Sequence, residues 1–517
     1  MNSRWLPLLL IIFSILLGLA LMSPALGEMG GDSAQYLMLS ESLLQGCGYR
    51  DTHLLAAPLH THYPPGFSLL LLPGVALFGA HAFLLHKSLI LFCAGLALWL
   101  SYRLALRRLP PRLALLVPFF LGTAVGWVMQ SVRIQSEMAF TCLLLAFLLE
   151  SERARPRRGI MLLWAALAFF VRTAGLAALL VLPFVRRPLR RPDWVSGLVA
   201  LLLVAGWILY GKLFGGGTWS YADELAFRSG GLSGLPGFLW DGLLFQGQGI
   251  GHLAISHWDL ARSPWLPLLP LAIILAGFGY ELRRARTIEW LFLAGFALCV
   301  LAPERTGRYL LPLFPLIALY LLSGLRLICL LLHGLHQAGW LRQIPAIAVA
   351  GFALLHLHQT ALVLKSRHSS RVVDPPPLLR EELGSLAFEQ WEESWGLPRT
   401  AQADRYVRAY GRFLLLLRGA RSCLPKDAVL AHRKPRFVSF LTGRPCEPMP
   451  DPKDPAKLGE ELRAAGVTHV VDAGLFVQMR RVLKAAGEGL RLEPVFQVHG
   501  ARLLALPPLP GEVPRRR

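Results

Sequence analysis

Between residues 5 and 365 the chain alternates apolar runs with short loops of clustered arginines, and no other feature restricts its fold as strongly. Runs such as His81–Leu100 and Ile344–Leu364 approach the length needed to cross a hydrocarbon core roughly 30 Å thick. Backbone inside lipid must satisfy its own N–H and C=O groups, so such runs cross as helices. With 54% hydrophobic and 16% charged residues, the composition excludes a soluble globular enzyme and places the chain among mainly α, polytopic membrane proteins. The formal charge of +21 falls in Arg103, Arg107, Arg108 and Arg112; Arg153, Arg155, Arg157 and Arg158; Arg186, Arg187, Arg190 and Arg191; and Arg283, Arg284 and Arg286. Clusters of this kind mark cytoplasmic loops. They lack the interleaved aromatics or the module of a nucleic-acid binder, so nucleic acid is excluded as a partner.

The clusters fix the sidedness of the rest. Met1–Met22, with Arg4 ahead of an apolar run, reads as an uncleaved first span. The segment 23–65 is then an outer loop, and His81–Leu100 is the single crossing back to Arg103. Phe67–Phe78 is too short to span and reads as re-entrant or lying at the outer surface. Leu113–Met129 goes out and Met138–Leu149 returns. Ile160–Val185, with basic clusters at both ends, predicts a tight hairpin turning near Arg172-Thr173-Ala174-Gly175. Trp194–Tyr210 leads to a long outer loop, 212–263, and further crossings follow at Trp265–Tyr280, Ile288–Leu301, Tyr309–Leu332 and Ile344–Leu364. The expectation is about 11–13 transmembrane helices in an inner (plasma) membrane, with the C-terminus outside.

Residues 1–365 thus form a transmembrane domain, and 366–517 a small soluble extracytoplasmic α/β domain. In the latter, Ala428–Leu430 and Phe437–Leu441 read as alternating apolar segments. "LRAAGVTHVV" (Leu462–Val471) reads as a helix end, a Gly stop and a buried strand, and Val495–Leu506 as a hairpin. This domain is a candidate substrate lid, docking surface or stabilising cap. The seven cysteines have no metal-binding spacing. Cys423 and Cys446 both fall outside, where an oxidising compartment would let them pair.

This topology gathers Asp32, His60, His62, Tyr63, Arg133, Glu137, Arg172, Glu304, Arg305, Arg308 and Tyr309 at the outer face, from separate segments. Arg172 is the most informative, because it interrupts an apolar hairpin and needs an anionic partner. A lipid-borne phosphate lies at the same depth and suits arginine forks. A carboxylate beside it can take the proton of an attacking hydroxyl. Together these groups form a transferase site.

The order of motifs resembles the GT-C superfamily of membrane glycosyltransferases, in particular the protein O-mannosyltransferase and lipid A aminoarabinose transferase branch. An acid follows the first span ("GDSAQY"), and the same loop ends in a Pro-Pro turn ("THYPPGFSLLLLP"). A second acid lies at the next outer loop ("RIQSEMAF"), a basic residue interrupts a later hydrophobic hairpin ("FFVRTAGL"), and an Arg-Tyr-rich entry opens a late helix ("ERTGRYLLPLFPL"). "LPKDAVLAHRKPRFVSFLTGRP" is similar to C-terminal domains on bacterial members. The resemblance implies inverting transfer of a sugar from a polyprenyl-phosphate donor to a lipid, glycan or protein acceptor on the extracytoplasmic face of the bilayer. Asp32 would be the general base and Glu137 a second acid. His62, Tyr63, Arg133, Arg172, Arg305, Arg308 and Tyr309 would bind substrate and phosphate. His62-Tyr63 stands where some relatives have Glu-Lys, and a single acid, Asp32, where some have two. A divalent metal held by His62, Glu137 and His257, or His252, is the only cofactor option. The alternatives are a transporter or flippase of a lipid-linked substrate, and an envelope glycan polymerase or ligase. The first predicts inverted repeats and midplane charges, which the sequence lacks.

Overall fold

The computed structural model describes residues 5–22, 26, 31–185, 191–215, 221–231, 233–255, 265–283, 287–302, 306–335, 343–369, 401–450, 457–472, 479, 483–484, 490, 492–498 and 501–506. The described chain is mostly helical. It divides into two compact units. One comprises Met1–Met22, Thr61–Leu70 and Leu84–Lys365, the other Ser23–His60, Leu71–Phe83 and Ser366–Arg517.

The helices, in chain order, begin with α1 (Leu6–Leu21), α2 (Asp32–Leu44), α3 (Gly66–Phe78) and α4 (Phe83–Ala105). The expected crossing Leu113–Met129 is three pieces, α5 (Pro111–Ala114), α6 (Leu116–Thr123) and α7 (Val125–Gln130). Ala124 is extended (φ −70°, ψ 126°), which ends α6 and re-aims the chain into α7. An apolar stretch records burial, not straightness, so this break is invisible in the sequence. Next come α8 (Glu137–Ser151), α9 (Arg158–Val171) and α10 (Leu176–Val181). Here the predicted hairpin is present: Arg172 leaves α9 extended, Thr173–Gly175 makes one tight turn, and α10 packs back on α9.

After α11 (Arg191–Phe214) the expected outer loop 212–263 contains two helices, α12 (Tyr221–Arg228) and α13 (Leu235–Ile255). The glycines of "FQGQGIG" lower its helix propensity, which is why the segment reads as a loop. Packing overrides that preference. Ile250, Leu253 and Ala254 are buried, and buried Gln246 donates from Nε2 to the Cys299 carbonyl at 3.2 Å. The first unit ends with α14 (Leu268–Leu282), α15 (Thr287–Leu301), α16 (Phe314–Leu335) and α17 (Ile344–Ser369). α14 and α16 approach closely, because Gly277 lies on the Tyr320 carbonyl and Gly324 on the Ile273 carbonyl, leaving no room for a Cβ on either. Small residues let helices in lipid approach in this way.

Among the described residues, Phe83–Ala105, Trp194–Phe214 and Gly307–Leu331 are long and apolar enough to cross a membrane, and seven further apolar helices are shorter, at 10–17 residues. α11 turns Trp194, Leu198, Leu201, Leu202, Leu209 and Leu213 outward. Large apolar side chains in that number suit a lipid-facing helix better than a watery one.

One arginine of the loop clusters is not at the surface. Arg108 is buried with its guanidinium between Glu152 at the end of α8 (3.1 Å), Glu281 near the end of α14 (3.0 Å) and Glu289 at the start of α15 (3.3 Å). Ser323 of α16 donates to Glu281 at 3.2 Å. Three helix ends are therefore tied through a single cation, and the middle of α16 joins them through Ser323.

The second unit is an α/β fold. α18 (Ala401–Cys423), α19 (Pro435–Thr442) and α20 (Leu458–Ala464) accompany β1 (Leu430–His432), β2 (Cys446–Pro448), β3 (His469–Asp472), β4 (Glu493–Val498) and β5 (Ala501–Ala505). The sheet order is β2-β1-β3-β5-β4; β1 is parallel to β2 and β3, and β5 is antiparallel to β3 and β4. The predicted helix, strand and hairpin are α20, β3 and β4–β5. Phe437–Leu441 is corrected: it belongs to helix α19, opened by Pro435, with Phe437, Val438 and Phe440 buried on one face. α2 also packs on α19 within this unit. Cys423 is exposed and Cys446 buried in β2, and both are free thiols.

Arg108→Met should destabilise the folded protein by about 3 kcal/mol, since it withdraws the cation from three buried carboxylates. Thermal unfolding in detergent, with Arg107→Met as the surface control, measures this.

Candidate functional site

In the first unit the site is built where three chain breaks meet. Ser136 precedes α8, and Glu137 is its first residue, where the helix dipole favours an acid. Arg172 stands at the break between α9 and the tight turn, with φ −156° and ψ 133°. Arg308 follows Thr306, whose side chain accepts from the Arg308 N–H and caps the tight helical stretch Gly307–Leu313. Each residue is thus held where a helix begins or ends, with its side chain released from helical neighbours.

These side chains converge. Arg172 Nη1 lies 2.7 Å from Glu137 Oε1 and donates to Ser136 Oγ at 3.2 Å. Arg308 Nε is 3.8 Å from the same Glu137 oxygen. Gln130 donates to Glu137 Oε2 at 3.2 Å and also pairs with Gln135. Both guanidinium groups lie by the Tyr309 ring, at 5.2 Å for Arg172 and 5.7 Å for Arg308. The Glu137 side chain is 2% exposed, against 16% for Arg172 and 27% for Arg308. A buried carboxylate therefore anchors two arginines that still reach solvent. Such a pair can receive an anion without first assembling.

The glycine that follows the Pro-Pro turn lies against the backbone that leads to Arg172. A Cβ on Gly66 would come within 2.6 Å of the Phe170 carbonyl carbon and oxygen and 2.9 Å of the Val171 nitrogen. Only glycine lets the start of α3 press on the backbone just before Arg172. His62 and Tyr63, three and four residues earlier, form an edge-to-face pair at 4.7 Å. Arg133 lies half-buried in the turn leading into α8. Arg305, Glu304 and His257 lie outside the described residues.

Asp32 belongs to the second unit. It is the first residue of α2, after Gly31 in a left-handed conformation (φ 87°). Arg436 of α19 reaches it, with Nη1 3.9 Å from Asp32 Oδ1. Close by in the chain is a group that sequence reasoning missed. Asp51 is buried, accepts from Gln35 Nε2 at 2.8 Å and from His60 Nδ1 at 2.7 Å, and has His53 at 3.8 Å. His60 is therefore a buried structural partner, not an exposed loop residue. Its spacing from Asp51 follows no helix or strand period, so only the fold brings the pair together. Burial alone would raise the Asp51 carboxyl; the His60 hydrogen bond and nearby positive charge, that of Arg436 included, bring it below its ordinary value. Burial lowers His60, and lowers His53 to about 4.

The metal option does not fit these residues. Among the described residues no three His, Cys, Asp or Glu side chains gather as a metal site. Glu137, the acid common to the expected set, already faces two guanidinium groups, which a dication would have to displace.

No family model matches the sequence, and no curated protein matches it. Solved structures do. ArnT from Cupriavidus metallidurans, bound to undecaprenyl phosphate, matches with TM-score 0.53 at 14% identity, over 98% of this chain and 98% of that one. The chain has the GT-C fold. The archaeal oligosaccharyltransferase AglB from Archaeoglobus fulgidus, in complex with an inhibitory peptide and a dolichol-phosphate, matches with TM-score 0.54 at 14% identity, over 94% of this chain and 72% of that one. The GT-C fold expected from motif order is thus present, with the Glu137–Arg172–Arg308 cluster in its helical unit.

Two outcomes follow from this geometry. Gly66→Ala should lower thermal stability and the yield of folded protein, because the added methyl meets backbone that cannot yield; Gly159→Ala, where nothing lies within 4 Å, should not. His53 is depressed in the fold, so the unfolded chain binds its proton more readily. Its contribution is whole above pH 6.5 and is lost as pH falls toward 4, by up to roughly 3 kcal/mol. Melting curves across that range should show a shallower acid loss for His53→Gln.

Proposed function

We propose that this chain is a glycosyltransferase that moves a sugar from a polyprenyl-phosphate donor to a lipid, glycan or protein acceptor at the extracytoplasmic face of a multi-pass membrane protein. The observation that carries the reading is the pair of arginines held on one buried carboxylate, within a GT-C fold. The polyprenyl phosphates named for ArnT and AglB, undecaprenyl phosphate and dolichol-phosphate, support a donor of that class.

In this reading Arg172 and Arg308 bind the donor phosphate. Its negative charge grows as the bond between the anomeric carbon and the phosphate oxygen breaks, so their hold tightens in the transition state. Glu137 keeps both arginines aimed, and Tyr309 supplies the surface on which they rest. Arg133, Arg305, His62 and Tyr63 contribute to substrate binding. Asp32 takes the proton of the acceptor hydroxyl as that oxygen attacks the anomeric carbon from the face opposite the leaving phosphate. The configuration inverts, the proton ends on Asp32, and the electron pair of the broken bond leaves with the polyprenyl phosphate. The outer loops and the C-terminal domain select the acceptor.

Mass spectrometry of envelope lipids and glycans from cells with and without the gene identifies the missing sugar. Restoring the gene with Asp32→Asn should leave transfer reduced by about 10²- to 10⁴-fold, the usual worth of a general base, at normal membrane abundance. Undiminished product would defeat Asp32 as the base. Movement of an intact lipid-linked sugar across liposomes, with no new glycosidic bond, would replace the transferase reading with that of a transporter.

A further inference from the structure

Arg436 is the second residue of α19, and the folded second unit brings it to two carboxylates nearly four hundred residues earlier in the chain. Its Nη1 stands 3.9 Å from Asp32 Oδ1, with the two side chains 30% and 16% exposed. The approach is built into the backbone. Gly31, immediately before Asp32, lies so close to α19 that a Cβ on it would come within 3.3 Å of Arg436 Cβ and 3.9 Å of the Phe437 nitrogen. With φ at 87°, position 31 also takes a conformation that L side chains resist. The start of α2 therefore lies directly on the start of α19.

Arg436 is also electrostatically coupled to Asp51, His53 and His60. Gln35 and His60 hold Asp51 still, so part of the charge that attracts the guanidinium is immobile. The arginine is thereby steadied beside Asp32 without depending on Asp32 alone.

Resting on the transferase reading above, we propose that Arg436 is a positioning residue for Asp32: the C-terminal domain supplies the cation that keeps the base ionised and aimed. A base must be unprotonated before it can accept the acceptor's proton, and a guanidinium nearby favours that form. The contact is long and reaches solvent, so it is weak. Weakness suits the role. A tight bidentate pair would occupy both carboxylate oxygens and hold the ionised form too firmly to accept a proton.

The test uses the full-length protein in membranes and two readouts. Carbodiimide activates only the neutral carboxyl, so labelling of Asp32 with carbodiimide and glycine ethyl ester at pH 6, read by peptide mass spectrometry, reports its ionisation. Arg436→Gln should label Asp32 about threefold faster than the unaltered protein. It should also lower glycan or lipid product in complemented cells about tenfold. Arg436→Lys, which keeps the charge, should restore both most of the way. Unchanged labelling in Arg436→Gln overturns the proposal, as does faster labelling with undiminished product. Full product from Asp32→Asn defeats the general-base reading instead; it removes the catalytic role of Arg436 while leaving the labelling difference intact. If Arg436→Gln does not accumulate in the membrane, phenylglyoxal labelling of Arg436 in Asp32→Asn gives the same test from the other partner. About threefold faster modification supports the contact, and an unchanged rate overturns it.

Discussion

A guanidinium at the tip of an apolar hairpin is stable only beside an anion, and in the first unit Glu137 is that anion. Much of the local architecture answers this need. α9 stops at Arg172 so that its side chain can leave the helix, α8 starts at Glu137 so that the carboxylate meets it, and the Gly307–Leu313 turn brings Arg308 to the same oxygen. Removing an ion from such a cluster leaves the others buried without compensation, which is why the three residues are best understood as one group. The burial that makes the group costly also makes it useful. Charges fixed in place beforehand need no rearrangement when an anion arrives at their exposed side.

The two buried ionic clusters of the first unit differ in kind. Around Arg108 one cation faces three glutamates, and its guanidinium is fully enclosed. Around Glu137 one carboxylate faces two arginines that keep part of their surface open. The first has no access for a ligand and serves to fasten helix ends. The second is rich in positive charge on its open side, as an anion site must be. Sign and exposure thus distinguish the two clusters without appeal to any relative.

The sequence carried the fold class because membrane helices advertise themselves through apolar length and arginine asymmetry. The hairpin at Arg172 was legible from a charge conflict: basic residues at both ends of one apolar stretch leave few other arrangements. The strands β3, β4 and β5 were legible from alternation and a glycine stop. What stayed hidden depended on distant contacts. α13 is rich in glycine and forms through its packing, the break at Ala124 lies inside a uniformly apolar run, and α19 resembles a strand until its buried face is known. Among the site residues, Glu137, Arg172 and Arg308 came from motif order. Asp51 was missed because its partners His60 and Gln35 follow no period, and Arg436 because nothing local distinguishes it from other arginines in a basic chain.

The hydrogen bond from the Leu55 N–H to Glu447 closes over 392 residues, and the Cys446 N–H donates to the His53 carbonyl nearby. The early segment is thus synthesised long before the strand it must meet. Throughout insertion of the intervening helices, the Leu55 N–H and the His53 carbonyl in the loop after α2 have to wait hydrated. Contacts of such separation are slow to form. Completion of this unit is accordingly a late event in biogenesis, and Asp32 acquires its folded surroundings only once the chain's last third has arrived.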